Sequence, residues 1–187
     1  MSVINKEKIR ILQQALLAKN QRLQIILYGQ VGSGRSQFLS NLLSGLYTGE
    51  LSPIADLSLM LNECCQIAYY THVKAFEEQI VRGIKETFPL ELQKYAQVKC
   101  QSIRKMPELL AQTKHDIVVL EDHRLEEPNL YQEIKTAQLM NPYPQHIIYK
   151  FCIKPPQQLI LSSDILINLS LDDIFEKITL LNSDNDE

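Results

Sequence analysis

The chain has 187 residues, 45% of them apolar and 22% charged, which is enough for one domain with a full core. Its net charge of −3 gives no general pull toward nucleic acid or anionic lipid. No apolar run reaches the roughly 20 residues that a membrane-spanning helix needs, so no membrane insertion is expected.

In chain order, residues 4–19 space their apolar side chains by three and four with charges between, the pattern of an amphipathic helix rather than a signal peptide. The expected compartment is therefore the cytoplasm. "LQIILYG" (23–29) is a short apolar run ending at glycine, a buried-strand signal. Residues 36–46 carry Phe38, Leu39, Leu42, Leu43 and Leu46 on one helical stripe. A short helix is expected over 54–63. "CQIAYYT" (65–71) predicts a strand, and residues 73–86 a helix with Phe76, Ile80 and Ile84 on one side. Residues 98–103 predict a further strand, and Pro107 fits the first turn of a short helix.

"HDIVVLED" (115–122) runs four apolar residues into two acids, as in a strand buried on both faces. A helix over 127–140, strands over 146–153 and 164–170, and a closing helix over 171–181 complete the pattern. Strands alternate with helices, so the fold class is α/β: a three-layer sandwich with a mostly parallel central sheet. The expected organisation is an N-terminal helix over 1–22, an α/β domain over 23–181 and a disordered acidic tail over 182–187. Cys64, Cys65, Cys100 and Cys152 form no C-x-x-C pair and predict reduced, buried thiols.

The stretch "ILYGQVGSGRSQFL" (26–39) carries the strongest chemical signal. Three of the six glycines fall within six residues, after a strand and before a helix. Glycines let successive backbone N–H groups turn toward one anion, and the following helix adds its free amides and dipole. The stretch nearly fits Gly-x-x-x-x-Gly-Lys-Ser/Thr, with Gly29, Gly34 and Ser36 in register and Arg35 where the lysine is expected. A guanidinium also binds phosphate, but it is wider than an ammonium and has a fixed planar fork.

These residues resemble the P-loop NTPase superfamily: "GQVGSGRS" looks like its Walker A loop and "IVVLED" like its Walker B strand. "ILYGQVGSGRSQFLSNLL" and "IIYKFCIKPPQQL" are similar to parts of the ATPase core of DnaA-type initiators and Hda-like regulators. The resemblance covers residues 23–181. It implies a P-loop fold in which Gly29, Gln30, Val31, Gly32, Ser33, Gly34, Arg35, Ser36 and Gln37 cradle the phosphates of ATP or another nucleoside triphosphate. It also implies that Ser36, with Glu121 or Asp122, holds Mg²⁺, and that the two acids serve hydrolysis.

Three features depart from that pattern. The polar residue expected near the end of the strand over 146–153 falls near Phe151. No Arg or Lys lies between Ile160 and Phe175 to supply a finger, and no room for a helical lid is expected after residue 181. Loss of one such charge stabiliser costs on the order of 10³-fold in rate. The expected function is a nucleotide-binding switch or scaffold with weak or no hydrolysis, assembling with a protein partner. DNA enters only by family analogy. Two other readings are a non-binding pseudo-NTPase subunit of a larger assembly, such as a secretion or conjugation apparatus, and a small-molecule kinase.

Overall fold

The computed structural model describes residues 3–17, 22–30, 32–48, 66–88, 90–93, 96–121, 128–143 and 145–177. The strands are β1 (Gln24–Tyr28), β2 (Ile67–Thr71), β3 (Ala96–Cys100), β4 (Ile117–Glu121), β5 (His146–Phe151), β6 (Ile165–Asn168) and β7 (Phe175–Lys177). They form one sheet in the order β3-β2-β4-β5-β1-β6-β7. Every neighbouring pair is parallel except β6 with β7. The helices are α1 (Val3–Leu17), α2 (Arg35–Thr48), α3 (Lys74–Thr87), α4 (Leu90–Gln93), α5 (Met106–Gln112) and α6 (Pro128–Met140).

Period-two alternation divides the strand side chains between two cores. On one face Ile25, Leu27, Ile67, Tyr69, Ile117, Val119 and Ile148 meet Leu12 and Leu16 of α1, Phe38, Leu39, Leu42 and Leu43 of α2, and Ile84 of α3. On the other, Ile26, Ala68, Tyr70, Val118, Leu120, Ile147, Tyr149 and Phe151 meet Met106 and Leu110 of α5 and Tyr131 and Ile134 of α6. Burial on both faces is why β1, β2 and β4 read as unbroken apolar runs. The crossovers β1-α2-β2 and β2-α3-β3 step one way over the first face. β3-α5-β4 and β4-α6-β5 step back over the second, so all four share one hand.

The N-terminal helix is stitched to this body by polar bonds as well as by its leucines. Asn5 Nδ2 donates to the Asp172 carbonyl at 2.7 Å, and Gln13 Nε2 to the Leu42 carbonyl at 3.0 Å. The helix expected over 54–63 lies outside the described residues, as does the tail over 182–187.

The closing helix expected over 171–181 is corrected: Phe175–Lys177 is a strand, and residues 178–181 lie outside the described residues. Leu171, Ile174 and Phe175 do have helical spacing, but two local effects favour a turn and a strand. Asn168 Oδ1 accepts the Ser170 N–H at 3.0 Å, a side-chain bond that competes with helix formation. The open edge of β6 then takes up the returning chain, with the Asn168 N–H donating to the Ile174 carbonyl at 2.7 Å. Phe175 becomes buried and Leu171 stays 46% exposed.

A buried ion pair ties α6 to the turn before β6. Lys135 Nζ lies 2.6 Å from Asp164 Oδ2, with the two side chains 3% and 0% exposed. Lys135 also donates to the Leu159 carbonyl, and Asp164 accepts the Leu161 N–H. Burial pushes the Lys135 ammonium below its ordinary value, and Asp164 partly offsets this. Removing one partner strands the other charge, whereas removing both does not. Lys135→Met should therefore cost about 3–5 kcal/mol of stability in urea unfolding. The double variant Lys135→Met with Asp164→Leu should recover a large part of that loss.

Candidate functional site

The glycine-rich turn leaves the C-terminal end of β1 and enters α2. Gly32 and Gly34 have φ of 88° and 87°, the left-handed region that costs other residues roughly 1–2 kcal/mol each. The third glycine serves close approach: a Cβ on Gly29 would lie 2.5 Å from Ser33 Oγ. The Ser33 N–H donates to the Gln30 carbonyl at 3.0 Å, closing the turn, and the Phe38 N–H donates to the Gly34 carbonyl at 2.9 Å, opening the helix. The Arg35, Ser36 and Gln37 N–H groups precede the first possible intrahelical bond, so they are orphan donors. Ser33 Oγ is buried without a hydrogen-bond partner. Gln30 is exposed, and Gln37 turns along the helix to donate to Asn41 Oδ1 at 3.1 Å. Val31 lies outside the described residues.

The same alternation that builds the cores aims two charged residues at this turn. β5 lies between β1 and β4, with Leu27 opposite Lys150 and Glu121 opposite Lys150. Glu121 follows Ile117 and Val119 in parity, and Lys150 follows Ile148. Both side chains therefore project on the α2 face. Lys150 Nζ donates to Ser36 Oγ at 2.8 Å and forms an ion pair with the Glu121 carboxylate. Only 12% of the Lys150 side chain and 10% of the Glu121 side chain are exposed. Tyr69 lies on the same wall, and burial followed by the Glu121 charge pushes its phenol well above the ordinary value.

Arg35 heads α2, and its Nη1 donates to Cys152 Sγ at 3.4 Å. Its guanidinium thus points to the loop after β5, not to Glu121. Of the expected site residues, Gly29, Gln30, Gly32, Ser33, Gly34, Arg35, Ser36 and Gln37 share the turn and the first turn of α2, and Glu121 faces Ser36 across Lys150. Asp122 lies outside the described residues.

At the end of β5, Lys150 faces the candidate site, while Phe151, where the resemblance implies a polar residue, faces away. Phe151 is 1% exposed and faces the opposite core, its ring 5.5 Å from that of Tyr131 and 6.0 Å from that of Tyr149. Lys150 is the site residue that the sequence reading missed. Its signal was the alternation in "HIIYKF": Lys150 shares parity with Ile148, as Glu121 does with Val119. A one-residue difference exchanges the two faces.

Ser36, Glu121 and Lys150 line one end of a cleft of about 330 Å³ between α2 and α3. Its walls also include the apolar Leu39, Phe76, Ile80 and Ile84 and the polar Ser40 and Gln79, so the lining is mixed. Among the described residues the donor set, Ser36 and Glu121, fits Mg²⁺ poorly. The hydroxyl and carboxylate that would hold the metal both already bind an ammonium. A divalent ion about 4 Å from that ammonium would meet a repulsion on the order of 8 kcal/mol, twice the unit-charge value at an effective dielectric of 20. Among the described residues, no three His, Cys, Asp or Glu side chains are grouped to hold a metal.

No helix among the described residues is long and apolar enough to cross a membrane. The chain matches no protein-family model and no curated protein.

The two faces of β5 should separate in mutagenesis. Phe151→Ala empties a core position and should cost about 3–5 kcal/mol in urea unfolding. Lys150→Arg keeps a cation beside the largely buried Glu121 carboxylate and should cost less than Phe151→Ala, because the charge is not left unpaired.

Proposed function

We propose that this chain is a P-loop-type protein that binds a nucleoside triphosphate, ATP first, with weak or no hydrolysis. Bound nucleotide would act as a switch or scaffold for assembly with a protein partner. One observation carries the reading: two left-handed glycines lead into a 14-residue helix whose Ser36 hydroxyl meets a lysine ammonium held by an acid-tipped strand. Helix amides and an ammonium then converge where a phosphate group would fit, with the Arg35 guanidinium on the rim of the same cleft. The sheet supports it as well, because ligands of parallel α/β sheets gather beyond the strand C-termini, where Tyr28, Glu121 and Phe151 end their strands.

Weak hydrolysis is supported by the chemistry of Glu121, the described acid of the two. A general base must be free to accept a proton from water within about 3 Å. Glu121 is held by Lys150, and Arg35 is directed to Cys152. A nucleotide that is held rather than turned over would serve as a conformational signal to a protein partner. DNA replication or loader-like complexes enter this reading only by family analogy. The cytoplasm is the compartment where such nucleotides are available.

A second reading draws on the same contacts. Lys150 and Arg35 both have partners within the chain, so the pocket is electrostatically satisfied without ligand. On that reading the chain is a pseudo-NTPase subunit that binds partners and no nucleotide. Calorimetric titration with ATP, GTP and ADP separates the two. The nucleotide reading expects micromolar ATP binding that is lost in Gly34→Val, where a β-branched residue meets φ of 87°. Failure of wild-type protein to bind any of the three at millimolar concentration would favour the pseudo-NTPase.

A further inference from the structure

We propose that the Lys150 ammonium takes the place of the divalent cation in this site, so that the protein binds a nucleoside triphosphate without Mg²⁺. The inference rests on the nucleotide reading above and specifies its cofactor. It starts from a mismatch. Of the residues expected to hold Mg²⁺, Ser36 and Glu121 are described, and Lys150 Nζ sits between them, 2.8 Å from Ser36 Oγ and paired with Glu121. The ammonium is anchored there by the fold. Lys150 is paired in register with Glu121 on β4 and Leu27 on β1, the strand that feeds the turn.

Donor counting makes the substitution workable. An ammonium has three N–H donors and no acceptor. Among the described residues, the Ser36 hydroxyl and the Glu121 carboxylate take two of them. The third can go to a phosphate oxygen at the first amides of α2. One ammonium then bridges a hydroxyl, a carboxylate and a phosphate oxygen, which is the bridging role of a metal. Its charge is half that of Mg²⁺. The Arg35 guanidinium at the head of α2 and the helix dipole contribute the remaining positive field. Glu121 is thereby engaged by a donor that cannot polarise a bound water as a metal does.

The test is calorimetric titration of the full chain with ATP, once in excess Mg²⁺ and once in EDTA. Wild-type Kd values within about threefold of each other support the inference, since a structurally required metal would cost tenfold or more, about 1.4 kcal/mol, when removed. Lys150→Met should weaken binding in EDTA by at least about tenfold, and Mg²⁺ should restore part of the loss as the freed Ser36 and Glu121 accept the metal. Lys150→Arg, which keeps a cation and the ion pair, covers the case in which Lys150→Met does not fold: it should remain insensitive to EDTA. Wild-type binding that appears in Mg²⁺ and disappears in EDTA would overturn the inference and leave the nucleotide reading standing. No ATP binding under either condition would overturn the nucleotide reading and this inference with it.

Discussion

An ammonium held between a hydroxyl and a carboxylate is the contact on which the proposed site depends. Lys150 joins three elements that are distant in sequence: α2 through Ser36, β4 through Glu121, and β5 through its own backbone. Glu121 is 9% exposed and sits at the end of a wholly buried strand. A carboxylate in that setting is costly unless paired. The pairing offsets the carboxylate charge within the cleft and links the first turn of α2 to β4 and β5.

That contact is possible because β5 runs between the strand that feeds the glycine turn and the strand that ends in the acid. Three parallel strands in register bring Leu27, Lys150 and Glu121 side by side. Alternation then sends Lys150 and Glu121 to the α2 face and Phe151 to the aromatic cluster with Tyr131 and Tyr149. The aromatic packing below resists a slip of β5, since a slip by one residue would bury Lys150 in an apolar core. Core packing on one face thus maintains the polar register on the other.

How far the sequence revealed this architecture varied with how local the governing physics was. β1, β4 and the glycine turn were legible because an apolar run and closely spaced glycines are short-range signals. The amphipathic stripe of α2 was legible for the same reason. The closing segment misled, because Leu171, Ile174 and Phe175 have helical spacing while the edge of β6 and the Asn168 side chain decide their conformation. Lys150 was hidden for a related reason. Nothing local distinguishes it from a solvated lysine, and its role appears only when β4 and β5 are paired in register. The Arg35 departure was visible in sequence, but its contact with Cys152 depends on where the loop after β5 lies.

The most direct test of the account is a double-mutant cycle on Glu121→Gln and Lys150→Met, read by urea unfolding without any ligand. A part-buried ion pair that organises the site predicts a coupling of about 1–3 kcal/mol between the two substitutions. Additive effects, with a coupling below about 0.3 kcal/mol, would mean that Lys150 and Glu121 do not act together and would contradict the account.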